Sequence, residues 1–572
     1  MKRFFFASFL SMACLLSQAQ SAPRSIIRVG LWTLWHDKEI TIAPNGPAQF
    51  RTCAACVPQA LKNITVKLDN SGLTWTEDRV QIRSATELLI TGSYRIAAHQ
   101  ESLTLTYPLR ITAQPGALTI AATLPVERYV ELVVAAESGA ADSPESLKAL
   151  AVVARSFALA PRHGHTGFDV CDSTHCQWLR WRGSAAAHAA TLATAGASLW
   201  LRGSRAAAYF HQNCGGRTAA ANEVWPARRG TALTNLISRT DPYCQRVGSS
   251  EWSATISRAD LTQALAIDGL SPPGWKTLSV AERGESGRAT ILLAGATKIS
   301  AEDFRLAVGR ALGWNRIRSN WFEVSAQGDS FLFHGRGSGH GVGLCQTGAA
   351  EMAREGHNYR EILAQYFPGA TLGEVTTGAE WQSLTSAGFT LESSDSKDAA
   401  YLPSLSRALS DAESRSGLTP QGTITVRAYR STPAFRDATL APGWVAAFTE
   451  RNQIALQPLR LLAARKLLDG TLRHEFLHVL VEEQATAQTP LWLREGLVEA
   501  WSGDASPWTQ RQALSPGAIN EKLARAASEA DSEAAHQAAG WYAQQLLNHY
   551  GRVQVLAWLR AGVPANVLLA LR

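Results

Sequence analysis

The sequence predicts an α+β, multidomain protein. It divides into an N-terminal module, β-rich and then mixed α/β (residues 23–375), a linker (376–398) and a mainly helical C-terminal domain with a small sheet (399–572). Three observations predict this. The chain has 572 residues, 46% apolar and 18% charged, which at ~150 residues per domain is ample for several cores. Runs alternating β-branched and polar residues, punctuated by Asn-Gly and Pro-Gly, give way to helical periodicity after Pro125. At Thr376 the composition shifts to Ser, Thr, Asp, Gly and Lys, and stays so to Asp398. Disorder, collagen and a disulfide-dense miniprotein are excluded. A formal charge of +7 is too mild for a nucleic-acid binder, although it suits anionic partners.

The chain opens with Lys2 and Arg3, an apolar run Phe4–Leu16 and the small-residue stretch to Ala22. This is the pattern of a secretory signal cleaved near Ala22, so the protein is expected to be exported to the periplasm, cell wall or medium. Cys14 lies inside the apolar run with Ser11 before it, which argues against a lipoprotein. Export implies an oxidising compartment. Seven cysteines then remain, an odd number: Cys53/Cys56 and Cys214/Cys244 read as disulfides, Cys171 and Cys176 have histidine neighbours, and Cys345 is left over.

Strands are expected at Ile26–Leu31, Ile64–Leu68, Val80–Ile82, Leu88–Ile90, Leu103–Ile111 and Ala117–Ala122. Pro125 opens a helix to about Glu137. Ser143–Pro144, an N-cap followed by proline, opens another to about Leu159. Ala185–Leu201 reads as a packed helix. Beyond the linker come one strand, Thr423–Tyr429, and then mostly helices.

Three constellations carry chemistry. In the first, Leu147, Ala151 and Arg155 share a helix face, and an arginine on an apolar stripe needs a carboxylate or an anionic ligand. Glu137 ends the preceding helix after the apolar run Leu132–Ala136. Partial desolvation there suits a carboxyl to general-acid work, and a structural Arg–Glu pair is the competing reading. In the second, His163, His165, Cys171, His175 and Cys176 fall within fourteen residues. Two thiols and two imidazoles complete a tetrahedral zinc site, and a Cys171–Cys176 disulfide is the alternative.

The third is His474–Glu475–Phe476–Leu477–His478, an HExxH string that chance would supply about 0.03 times in this chain. His474 and His478 share a helix face and can reach one zinc ion, with Glu475 as the base toward an activated water. A second helix, Leu491–Trp501, offers Glu495 as third ligand and Glu499 as a residue to orient a ligand imidazole. No transition-state donor is evident from the pattern, and Tyr542, by its place on the following helix, is the candidate.

The first module resembles the stage II sporulation protein D / amidase enhancer family over about residues 26–372. The resemblance rests on Val126–Glu137, on ESLKALAVVARSFAL (Glu145–Leu159), on FHQNCGGRT (Phe210–Thr218) with Trp225, and on GRGSGHGVGLCQTGAAEMAREGHNYREILAQYFPGATL (Gly335–Leu372). It implies binding and cleavage of peptidoglycan glycan strands by a lytic transglycosylase, with Glu137 as catalytic acid and Arg155, which matches the arginine of the family's second helix, as a further catalytic residue. It also implies zinc at His165, Cys171, His175 and Cys176, and a cell-wall amidase as partner; a non-catalytic, amidase-enhancing wall binder is the rival. The alternating glycines Gly335–Gly343 suggest close approach by a sugar at Gly339 and Gly341, with His340 projecting from the other side, or else a tight strand crossing. TLRHEFLHVLVEE and PLWLREGLVEAW make the C-terminal domain similar to the gluzincin-like peptidase MA family. That implies a catalytic zinc and a peptide substrate of unknown identity.

Overall fold

The computed structural model describes residues 25–570 except 70–71, 78–79, 140–141, 161–164, 227–235, 249, 442–444, 504–513 and 525–528. The signal segment with Cys14, and His163, lie outside the described residues. Among these, an eleven-stranded and almost wholly antiparallel sheet forms the first layer. Its central strands include Ala117–Pro125, Leu109–Gln114, Glu87–Ala98 and Glu39–Arg51. The expected strand Leu103–Ile111 is two, Glu101–Leu105 and Leu109–Gln114, because Pro108 has no N–H for a ladder. Both predicted helices form, Val126–Glu137 and Pro144–Leu159, the second with Ser143 as a capping-box N-cap. The first packs on the sheet strands Ile26–Gly30 and Ala117–Pro125, and the second packs on the first helix and on Ala197–Leu201; Val130, Leu132, Val133, Leu150 and Val153 are all buried in this core.

Residues 251–336 build a lobe with its own core around Trp252, Phe304, Phe322 and Phe333. Two three-stranded sheets and the helices Arg258–Ile267 and Ala301–Leu312 compose it.

Two expectations fail in instructive ways. Ala185–Leu201 is a helix only to Ala193, after which Ala197–Leu201 is a strand. Gly196, at φ +74°, makes the turn between them. The supposed linker 376–398 contains strands Gln382–Ser386 and Phe389–Ser393. They begin a five-stranded sheet that continues through Ile424–Ala428, Gln453–Leu456 and the edge strand Ala447–Glu450. Its polar composition reflects exposed faces, while Phe389 and Leu391 are fully buried.

The two halves therefore share a packed boundary. Trp381, Tyr429 and Phe435 lie in the core of the first module. Arg427 donates to the carbonyls of Ala195 (3.1 Å) and Ala193 (3.0 Å), and also pairs with Glu392. His188 bridges Glu131 (3.3 Å) and Glu450 (2.9 Å), and these carboxylates raise its pKa to about 10.

Candidate functional site

Glu137 is the last residue of its helix, whose buried face pulls it against the core. It sits in a cleft of ≈ 430 Å³ between the main body and the lobe. Trp178, Tyr209, His340 and Gln346 line one side; Arg305, Trp314 and Arg318 come from the lobe. Glu137 Oε1 accepts the backbone N–H of Trp178 at 3.2 Å, and the Glu137 carbonyl accepts Gln346 Nε2 at 3.0 Å. Burial pushes its pKa up to about 7, opposed by that hydrogen bond and by the charge of Arg180. The negative end of the helix dipole acts in the same direction as burial. Among the described residues lining the cleft, Glu137 is the only carboxylate. Asp142 and Glu145 are engaged locally, Asp142 with Gly139 N–H (2.7 Å) and Glu145 with Lys148 (2.6 Å).

Arg155 does not face Glu137. Its guanidinium is fully buried and grips Glu127 through Nε (2.9 Å) and Nη2 (2.5 Å). Nη1 donates to the Ala197 carbonyl at 3.0 Å, and Gly196 N–H donates to Glu127 Oε1 at 3.1 Å. Glu127 lies in the first turn of the helix that Glu137 ends, about 15 Å away along the axis. The apolar stripe did require a carboxylate for Arg155, but the partner is Glu127 and the pair is structural. Removing one partner strands a buried charge. Arg155→Ala should therefore destabilise by about 3–5 kcal/mol, read as a lowered thermal midpoint, while leaving the Glu137 titration in place.

The glycine run is not one flat strand. The strand ends at Arg336, and Gly337, Gly339, Gly341 and Gly343 all have φ between +75° and +92°. A Cβ on Gly343 would stand 2.2 Å from the Tyr209 carbonyl oxygen, and one on Gly341 2.5 Å from Arg288. Gly337, Gly339 and Gly343 allow a close crossing with residues 209–215, and Gly341 packs on Arg288. Gly339 and His340 line the cleft, and Gly341 faces inward. His340 Nδ1 accepts Val342 N–H at 3.0 Å, which leaves Nε2–H as a donor.

His165, Cys171, His175 and Cys176 converge, with their ligand atoms within 4.8 Å of one another. His165 Nε2 is 3.2 Å from Cys176 Sγ, and His175 Nδ1 is 3.7 Å from Cys171 Sγ. The two Sγ atoms are 2.8 Å apart with no disulfide joining them, and Cys176 Sγ accepts the Cys171 N–H at 3.0 Å. The donor set fits a tetrahedral zinc ion. Trp178, which holds Glu137, follows two residues later, so an ion here would fix the loop that orients the acid. Cys171→Ser should lower the zinc content by one equivalent and reduce thermal stability, because metal binding adds to folding free energy.

The HExxH string lies on helix Leu468–Glu482. His474 Nε2 and His478 Nε2 are 3.1 Å apart, close to the ~3.3 Å that two tetrahedral zinc-bound nitrogens would show. Glu495 Oε2, from helix Leu491–Ser502, is 3.7 Å from His478 Nε2. Ser502 Oγ donates to the Val498 carbonyl (2.7 Å), so it accepts from His474 Nδ1–H (3.2 Å) and leaves Nε2 deprotonated, as a ligand must be. Burial pushes His478 down to about 4 and Glu475 up to about 7, and Thr449 Oγ1 donates to Glu475 at 2.5 Å.

Glu499 Oε1 stands 3.6 Å from His536 Nδ1, and Ser502 Oγ is the group that meets the His474 imidazole. The Tyr542 hydroxyl donates to the Leu514 carbonyl (3.1 Å) and the ring is buried, so it is a packing residue. Sequence reasoning missed Trp178, Gln346, Ser502, Thr449 and His536. Only Ser502 left a signal, since it lies seven residues after Glu495, on the same helix face.

Residues 114–200 match the Stage II sporulation protein family. They contain Glu137, Arg155 and the His/Cys cluster. Residues 209–343, including the lobe, match a domain of unknown function (DUF8618). The chain is 29% identical over 273 residues to stage II sporulation protein D of Bacillus subtilis, covering 44% of this chain and 75% of that protein. It is 27% identical over 286 residues to the amidase enhancer of Bacillus subtilis, covering 41% of this chain and 39% of that one. An uncharacterised protein of Brachyspira hyodysenteriae is 28% identical over 258 residues, covering 44% of this chain and 67% of its own length.

Proposed function

We propose that the protein is an exported cell-wall enzyme. Its N-terminal module cleaves peptidoglycan glycan strands as a lytic transglycosylase, and its C-terminal module is a zinc-dependent peptidase. The observation that carries the first part is a single carboxyl, Glu137, with a pKa near 7 in a cleft that offers aromatic rings to sugar faces. A hydrolase of glycosides ordinarily uses two carboxyl groups. One suffices when the sugar supplies its own nucleophile. Glu137 protonates the glycosidic oxygen as the C1–O bond breaks. The resulting carboxylate takes the proton from the 6-hydroxyl, whose oxygen bonds to C1, leaving a 1,6-anhydro end and the acid restored. The relatives named sporulation protein D and amidase enhancer support a cell-wall role.

In the second module His474, His478 and Glu495 would hold zinc, which supplies a Lewis acid and an acidified water when bound. Glu475, held by Thr449, accepts the proton.

The pH dependence tests the first part. The active form of Glu137 is the protonated one, so release of soluble fragments from purified peptidoglycan should fall as pH rises through about 7. Lack of release at every pH, with wall binding intact, would favour the second reading, a wall-binding amidase enhancer, which the likeness to the relative of that name motivates.

A further inference from the structure

A second sulfur-rich cluster lies behind the floor of the glycan cleft. Cys214, Asp241, Cys244 and Cys345 are all buried, and their ligand atoms lie within 4.8 Å of one another. Sequence spacing had suggested a Cys214–Cys244 disulfide with Cys345 left over. Instead all three are free thiols around one point, because strands Phe210–His211 and Leu344–Cys345 pair in parallel and bring Cys345 beside the Cys214 turn. Helix Pro242–Arg246 supplies Cys244, and its N-cap is Asp241.

Backbone N–H groups point at two of the sulfurs, while Cys214 Sγ also faces Asp241 Oδ2 at 3.3 Å and Cys244 Sγ faces Asn213 Oδ1 at 3.4 Å. Cys345 Sγ receives the N–H of Cys214 (3.2 Å) and of Gly348 (3.4 Å), and Cys214 Sγ receives Gly216 N–H (3.3 Å). The Tyr366 hydroxyl donates to Asp241 Oδ2 at 2.8 Å, orienting the carboxylate. Arg288, itself buried, donates to the Cys214 carbonyl at 2.6 Å and brings a positive charge beside the group. Backbone N–H groups aimed at sulfur, and an oriented buried carboxylate, are what thiolate ligation of a cation requires. Three soft donors and one oxygen at mutual distances below 4.8 Å match tetrahedral zinc, whose bound sulfurs would lie ~3.8 Å apart.

We infer that Cys214, Asp241, Cys244 and Cys345 form a closed structural zinc site, distinct from the His165/Cys171/His175/Cys176 cluster and from the HExxH site. Four protein donors leave no open position, so the site does no chemistry. It ties together three segments that make the cleft floor. Gln212 precedes Cys214 by two residues, and its carbonyl accepts Thr347 N–H at 3.0 Å. Gln346 follows Cys345 and holds the Glu137 carbonyl.

The test uses the full chain purified without chelator. Zinc per chain is measured by mass spectrometry in wild type and in Cys244→Ala. Cysteine states are read by iodoacetamide labelling without reductant, first native and then denatured with chelator. The site predicts one zinc equivalent lost in the variant. It also predicts that Cys214, Cys244 and Cys345 resist label in the native protein and all accept it after chelation, while Cys53 and Cys56 stay unlabelled. A disulfide within the trio would overturn the site. So would labelling of the trio in the native, zinc-loaded wild type, a reading that does not depend on the variant folding.

Discussion

Glu137→Gln should reduce glycan cleavage by about 10²–10⁴-fold or more while leaving the fold and wall binding unchanged. Glutamine keeps the shape and can still accept the Trp178 N–H, but it has no proton to give to the glycosidic oxygen. No other carboxyl among the described lining residues can take over the role. Substrate binding should survive because the cleft walls, Trp178, Tyr209, His340 and the lobe residues Trp314 and Arg318, are untouched. The measurement is the rate of fragment release together with pull-down on purified wall. Loss of binding together with activity would assign Glu137 to recognition instead of proton transfer.

The second large effect is expected in the C-terminal module. His474→Ala should lose zinc and peptidase activity together, since it removes one of the two facing Nε2 atoms of the proposed zinc site. Glu475→Gln should keep the metal and lose activity, because it removes the base but no ligand. Ser502→Ala should weaken metal affinity by about 10–100-fold, as loss of a ligand's hydrogen-bond partner does. Zinc content and hydrolysis of generic peptide substrates read these out. Zinc retained with turnover absent from wild type would make this module a zinc-stabilised binding domain.

Much of the fold was legible where local signals were strong. Ser143–Pro144 marked a helix start, and the alternation in Ile64–Leu68 and Ala117–Ala122 marked strands. The polar segment Thr376–Asp398 misled because its strands bury Phe389 and Leu391 against a neighbour, Ile424–Ala428, that only tertiary structure provides. In the site, residues set by spacing were legible: His474 with His478, and the tight group Cys171, His175 and Cys176. Arg155 was read to need a carboxylate. Sequence proximity pointed to Glu137, when helix geometry places Glu127 opposite it. The cluster at Cys214 was invisible because its members are separated by 30 and 101 residues and meet only through parallel strand pairing.

The central claim is that Glu137 alone performs acid and base steps on a glycan strand. Its most direct test is mass spectrometry of purified peptidoglycan digested with wild type, Glu137→Gln and Glu475→Gln. The account predicts 1,6-anhydro ends from wild type and from Glu475→Gln, and none from Glu137→Gln. Reducing ends only from wild type, or an unchanged yield of anhydro ends from Glu137→Gln, would contradict it.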